Sequence, residues 1–269
     1  MYLVVNKKSV MLCCMILSGG LLLGGILGAI PERKASGVGR GEEVKIIIDA
    51  GHGLPDGGAV GVGGAIEAEL NLDIAQKLSE ILENMGFTTV MTRTDKVGIK
   101  PDDADGWNKV VDMKLRRDIM KESGAELFLS IHMNHFTGKE VSGLRLFYSE
   151  NHKEIKELAE NIQTKIAELT SAKVTAVRAA DKRLFLMKSP PVPAVLVECG
   201  FLSNPQEEER LKDDEYRSKI AWAIAKEIED YYFENTNQLK VNNVSKNGIK
   251  SANKVDKKMT EVYNTNILF

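Results

Sequence analysis

From Val44 to Tyr232 the chain switches repeatedly between two hydrophobic spacings. Val44 to Asp49 is a β-branched run, the pattern of a strand buried on both faces of a sheet. Leu70, Ile74, Leu78, Ile81 and Met85 then recur at helical steps, which predicts an amphipathic helix stopped by Gly86. Phe87 to Met91 predicts a strand, residues 107–123 a helix, and Leu127 to Ile131 a strand again. Leu144 to Tyr148 reads as a further strand, and Ile155, Leu158, Ile162, Ile166 and Leu169 mark a long helix. Leu184 to Met187 and Ala194 to Val197 are predicted as short strands, separated by Ser189-Pro190-Pro191-Val192-Pro193. A last helix is predicted from about Asp213 to Tyr232. Strands alternating with helices imply a single α/β domain, residues 44–234, built on a mostly parallel sheet flanked by helices.

Both flanks break the alternation. Lys7 and Lys8 precede an apolar stretch from Val10 to Ile30, and Pro31-Glu32-Arg33-Lys34 follows it. The length suits a membrane span with a cytoplasmic N-terminus. A cleaved signal peptide is the competing reading, but no small-x-small cleavage site stands out, so residues 1–30 are expected to be an uncleaved signal-anchor. Residues 31–43 read as a Gly- and charge-rich linker, and residues 235–269, rich in Asn, Lys and Ser, as a mobile polar tail. Outside the apolar segment, which holds Cys13 and Cys14, only Cys199 remains, so an exported domain must rely on core burial rather than an internal disulfide. A net charge of −2 and the lack of a basic stripe interleaved with aromatics argue against a nucleic-acid partner.

Three predicted strands end in side chains that a core would not select. "VKIIIDAGHG" delivers His52, "ELFLSIHMNH" delivers His132, and "AVLVECGF" delivers Glu198. In open α/β sheets, sites gather beyond the carboxyl ends of strands. A fourth group comes from "GAIEAELNLDIA", where helical geometry separates two glutamates. Glu67 shares a stripe with Leu70, Ile74 and Leu78 and faces inward; Glu69 shares one with Asp73, Gln76 and Glu80 and faces water. An inward carboxylate needs a partner, because an uncompensated buried charge is costly. Two imidazoles and one carboxylate match the three-ligand set of catalytic zinc sites. Glu198 then has the position of a general base that takes a proton from water and passes it to a leaving amine. Together these residues predict a zinc-dependent amide hydrolase.

The stretches "DAGHGLPDGGAVG", "IEAELNL", "SIHMNH" and "VLVECGFLSNP" together resemble the zinc-dependent N-acetylmuramoyl-L-alanine amidases of bacterial cell walls. The resemblance runs from Val44 to Tyr232 and implies a six-stranded, phosphorylase/hydrolase-like α/β domain, one zinc ion, and cleavage of the amide between muramic acid and L-alanine. It places the metal ligands on His52, Glu67 and His132, and the catalytic glutamate on Glu198. The family's Leu-x-x-Arg helix is met by "MKLR", with Met113 replacing leucine, which brings Arg116 near the site as a carboxylate or substrate partner. Ala50 stands where proline is usual, and Ala68 where a lysine is usual. A lone catalytic domain behind one anchor resembles the germination-specific amidases of endospore formers, which work ahead of a deacetylase that builds muramic-δ-lactam in the spore cortex. The expected partners are therefore peptidoglycan, that deacetylase, an accessory protein and the membrane, and the expected location is the forespore intermembrane space. A vegetative wall autolysin and a zinc peptidoglycan peptidase or deacetylase are the alternatives.

Several positions admit two readings. Asp49 either accepts a hydrogen bond that orients His52 or simply forms the turn. Asn134 either donates in the groove or caps the loop; His135 either lines the groove or faces solvent. Gly57, Gly58, Gly61, Gly63 and Gly64 read as a loop kept small for substrate, since no Gly-Lys-Ser/Thr follows to make a phosphate loop. Glu140 and the acidic run Glu207 to Glu209 are expected to be solvated. A thiol hydrolase using Cys199 is the mechanistic rival, opposed by strand alternation, which turns Cys199 away from the side that Glu198 faces. A non-catalytic zinc-binding wall module would require one of the four site residues to be missing, and all four are present.

Overall fold

Ile46, Ile47 and Ile48 are all fully buried, with Ile46 and Ile48 in one core cluster and Ile47 in the other. That is the behaviour expected of a strand covered on both faces. The computed structural model describes residues 43–233; the expectations for the signal-anchor, for linker residues 31–42 and for the tail lie outside the described residues. Among the described residues, no helix is long and apolar enough to cross a membrane.

The elements follow the order β1 (Lys45–Ala50), α1 (Glu67–Asn84), β2 (Thr88–Met91), α2 (Lys109–Glu122), β3 (Leu127–Asn134), β4 (Arg145–Tyr148), α3 (Lys156–Thr170), β5 (Arg178–Ala179), β6 (Ala194–Phe201), α4 (Pro205–Lys212) and α5 (residues 214–233). The six strands form one sheet in the order β2-β1-β3-β6-β4-β5. β2, β1, β3 and β6 run parallel, while β4 pairs antiparallel with β6 and carries β5 beside it. Helices α1, α3 and α5 supply Ile74, Leu78, Ile162, Ile166, Ile224 and Ile228 to the larger core cluster. On the opposite face Met120 of α2 packs with Phe128, Leu186 and Met187.

The structure corrects the element reading in three places. Leu184 to Met187 is not a strand: Phe185–Met187 forms a single 3-10 turn that lays Leu186 and Met187 on the smaller core cluster. A four-residue apolar run serves a buried turn as well as a strand, and the prolines that follow, lacking N–H groups, favour the turn. The sixth strand is instead β5, whose two exposed residues are too few to show a period. Helix α4 also went unpredicted, because its acidic run conceals the one apolar anchor, Leu211.

Candidate metal centre and active site

The chain leaves β1 through Gly51, His52 and Gly53, and His52 adopts φ +61, a left-handed conformation that a residue with a side chain resists. Two buried arginines hold it there. Arg93 donates to the carbonyls of Ala50 (2.8 Å), Gly51 (3.0 Å) and Ala68 (2.7 Å). Arg116 donates to the carbonyls of Ala50 (2.9 Å) and His52 (2.5 Å). Asp49 (2.6 Å) and Asp112 pair with Arg116, and Asp49 also accepts from Thr92 (2.8 Å) and Ser130 (2.6 Å). Burial works against both charges of the Arg116–Asp49 pair, yet each partner outweighs it: the guanidinium pKa is raised and that of Asp49 is lowered.

Glu67 opens α1 and is buried, as its stripe predicts. Its Oε1 lies 3.3 Å from His52 Nε2, 2.9 Å from His132 Nδ1 and 3.1 Å from the Met133 N–H. Its Oε2 accepts from the Ala59 N–H at 2.8 Å. One possible ligand atom from each of His52, Glu67 and His132 falls within 4.8 Å of the others, and the two imidazole rings sit 5.0 Å apart at 76°. Burial resists ionisation of Glu67, but the hydrogen bonds and charge of His132 and His52 hold its carboxyl well below the usual range. The other nitrogen of His52, Nδ1, lies 3.1 Å from Asp56 Oδ2, which Lys109 also meets at 2.9 Å.

Glu198 stands beside this cluster, in register with His132 across the β3–β6 pairing. Its Oε2 is buried with no hydrogen-bond partner among the described residues. Burial and the nearby Glu67 charge push its pKa up to about 7, against the opposing pull of His132, His52 and Arg145. His52, Glu67, His132 and Glu198 all line a cavity of about 440 Å³, whose lining also includes Trp107, Met113 and Phe185.

The remaining expected residues divide. Arg116 is a carboxylate partner, with its guanidinium committed to Asp49, Asp112 and two carbonyls rather than free for substrate. Asp49 does not accept from His52; Asp56 does, four residues further on, a position the sequence reading passed over. Asn134 ends β3 half-buried and His135 is exposed, and neither lines the cavity. Two of the glycines are kept small by the protein's own side chains. A Cβ on Gly58 would meet Glu67 Oε2 at 2.5 Å and His52 Cδ2 at 2.8 Å, and one on Gly61 would meet Glu208 Oε1 at 2.2 Å. Glu207 and Glu208 are buried, not solvated: Glu207 accepts from Gly143 and Phe201 (both 2.8 Å), and Glu208 from Gly63 (2.6 Å) and Ala65 (3.0 Å). Cys199 lies in the larger core cluster, away from the cavity, and burial raises its thiol pKa; the thiol route has neither access nor activation.

Residues 46–230 match the family described as N-acetylmuramoyl-L-alanine amidase. The germination-specific N-acetylmuramoyl-L-alanine amidase of Bacillus subtilis is 34% identical over 194 residues, which is 70% of this chain and 80% of that protein. Among solved structures, the CwlD amidase from Clostridioides difficile, in complex with the GerS lipoprotein, aligns with a TM-score of 0.66 at 34% identity, covering 71% of this chain and 98% of that one. The catalytic domain of CwlV from Bacillus (Paenibacillus) polymyxa var. colistinus aligns with a TM-score of 0.61 at 28% identity, covering 70% and 98%.

Proposed function

The chain belongs to the N-acetylmuramoyl-L-alanine amidase family, and we propose that it is a zinc-dependent member acting on the peptidoglycan of the spore cortex. The reaction is hydrolysis of the amide that joins muramic acid to the L-alanine of the stem peptide. The observation that carries this reading is the convergence of His52, Glu67 and His132 beside a glutamate with an unpartnered buried oxygen.

The residues fit zinc. Two imidazole nitrogens and one carboxylate oxygen form a borderline-soft donor set of the kind zinc prefers. Asp56 supports His52 through Nδ1, which leaves Nε2 turned toward Glu67, the carboxylate support common to metal-binding histidines. When bound, zinc supplies Lewis acidity for a carbonyl oxygen and for water.

The chain's own groups do the remaining work. In the metal-free fold, burial raises the pKa of the Glu198 carboxyl to about 7, and a cation on the neighbouring ligands would favour its charged form, the state a general base needs. From its place on the cavity lining, its carboxylate accepts a proton from the attacking water and returns it to the departing L-alanine nitrogen. Trp107, Met113 and Phe185 supply apolar surface on the lining of the same cavity.

The cortex assignment rests on the likeness to the germination-specific amidase. On that reading the product feeds a deacetylase acting on the freed muramic acid, and an accessory protein assists, as the structure of the C. difficile relative with its lipoprotein suggests. The enzyme then works outside the cytoplasm, in the forespore intermembrane space, held by the segment of residues 1–30. Digestion of purified cortex and of vegetative wall, with and without a chelator, tests the whole proposal by mass analysis. The expected result is release of stem peptides with a free L-alanine amine from cortex, abolished by the chelator and restored by zinc. Cleavage at another bond overturns the amidase assignment, indifference to the chelator overturns zinc, and cleavage of vegetative wall alone overturns the cortex role.

A further inference from the structure

The arginines around the cleft are almost all engaged. Arg93 and Arg116 are saturated by carbonyls and acids, Arg117 donates to the carbonyls of Phe185, Lys188 and Ser189, and Arg183 pairs with Asp181. Arg145 differs: its Nε is buried with no hydrogen-bond partner among the described residues. It sits on β4 directly opposite Glu198 of β6, and facing residues of an antiparallel pair project from the same side of the sheet. Its guanidinium carbon lies 4.9 Å from the centroid of Phe201, a fully buried ring.

We propose that Arg145, held over the Phe201 ring, forms a subsite for a free carboxylate on the peptide portion of the substrate. This inference rests on the amidase reading and names what lies next to the scissile bond. With Nε buried, the two terminal nitrogens of Arg145 are the donors left for a ligand, a planar pair suited to bidentate capture of a carboxylate. Neutral glycan hydroxyls offer no charge to match it. The residue after L-alanine in a stem peptide is a glutamate joined through its side chain, so its α-carboxylate remains free. Two residues of extended chain span about 7 Å, and Arg145 stands one strand spacing, about 4.8 Å, from the strand that carries Glu198.

The test compares two disaccharide-tripeptides, one with the free α-carboxylate and one amidated there, as substrates for the full-length enzyme and for Arg145→Met and Arg145→Lys. Affinity is measured separately by calorimetric titration of both probes into the Glu198→Gln protein with and without Arg145→Met. The expected result is a roughly tenfold lower KM for the carboxylate probe than for the amidated one, with similar kcat. That preference collapses in Arg145→Met and falls to about threefold in Arg145→Lys, because a point charge replaces the fork. Equal KM and equal affinity for the two probes in the unaltered protein overturn the subsite, as does an Arg145→Met loss that falls equally on both. Absence of cleavage with the carboxylate preference intact in the titrations overturns the amidase reading and leaves the subsite standing.

Discussion

At the start of α1, Glu67 is met by both imidazoles, by two backbone N–H groups and, at 3.5 Å, by Asn71. Midway along β6, Glu198 Oε2 is met by no hydrogen-bond donor among the described residues. Both carboxylates line one cavity, yet one is held well below the ordinary glutamate pKa and the other is pushed up to about 7. Neighbouring acids whose surroundings drive their pKa values apart divide into a fixed anion and a proton carrier. Burial is common to both; the number of donors decides the sign.

The sharpest way to break this contrast is to remove one charge at a time. Glu198→Gln should retain zinc while turnover drops by about 10²–10⁴-fold. Glu67→Gln should lose both metal and turnover. Metal analysis alongside muropeptide release checks the pair, and equal zinc loss in the two variants would erase the distinction between ligand and base.

The same contrast predicts a stability difference with a definite sign in metal-free protein. A carboxyl whose folded pKa is raised holds its proton in the fold where the unfolded chain has already released it. The cost of Glu198 is therefore absent below its ordinary value of 4.5, grows as pH rises toward 7, and stays constant above. Glu198→Gln should raise Tm by roughly 5 °C at pH 8 and leave it unchanged at pH 4. Glu67 has the opposite sign: its depressed pKa stabilises the fold above 4.5, and that contribution is lost as pH falls below it. Thermal unfolding of both variants well below and well above pH 4.5 checks the two slopes.

Much of the cleft was legible because its signals are local. A titratable residue straight after a short apolar run marks His132 and Glu198, one just beyond the end of β1 marks His52, and the helical step alone separates Glu67 from Glu69. What could not be read is what long-range pairing decides. The buried pair Arg116–Asp49 joins residues 67 apart, and Glu208 reaches Gly63 across 145. Neither distance leaves a trace in periodicity, so Glu208 within a run of glutamates looked solvated, and the glycines it meets looked like clearance for substrate. Asp56 is the exception: as a carboxylate four residues after a candidate ligand, it was within reach of the sequence and was overlooked.

Asp56 sharpens the contrast from the ligand side. It fixes His52 through Nδ1 and has no contact with Glu198. Asp56→Asn should lower zinc affinity by about 10–100-fold, measured by competition with a chelating dye, while kcat at saturating zinc changes little. A fall in kcat without a fall in affinity would move Asp56 from the ligand group to the acid–base step.

Glu208 should have the smallest effect, and it acts only on the Glu67 side. Its two oxygens accept from Gly63 and Ala65, and the loop they hold continues through the Val60–Ile66 bridge to Ala59, whose N–H donates to Glu67 Oε2. Glu208→Gln keeps the volume but turns one acceptor into a donor, leaving one of the two N–H groups facing an amide that cannot accept its bond. An unsatisfied buried donor costs about 1–3 kcal/mol, and partial relaxation of a glycine-rich loop favours the low end. Tm should therefore fall by a few degrees, with zinc affinity weakened several-fold and the KM for substrate unchanged. Gly61→Ala, which forces a methyl group against Glu208 Oε1, should reproduce the loss of zinc affinity through the same loop. If either variant lowered kcat at saturating zinc while affinity held, the loop would be acting on Glu198 rather than on Glu67, and the separation of the two glutamates would no longer hold.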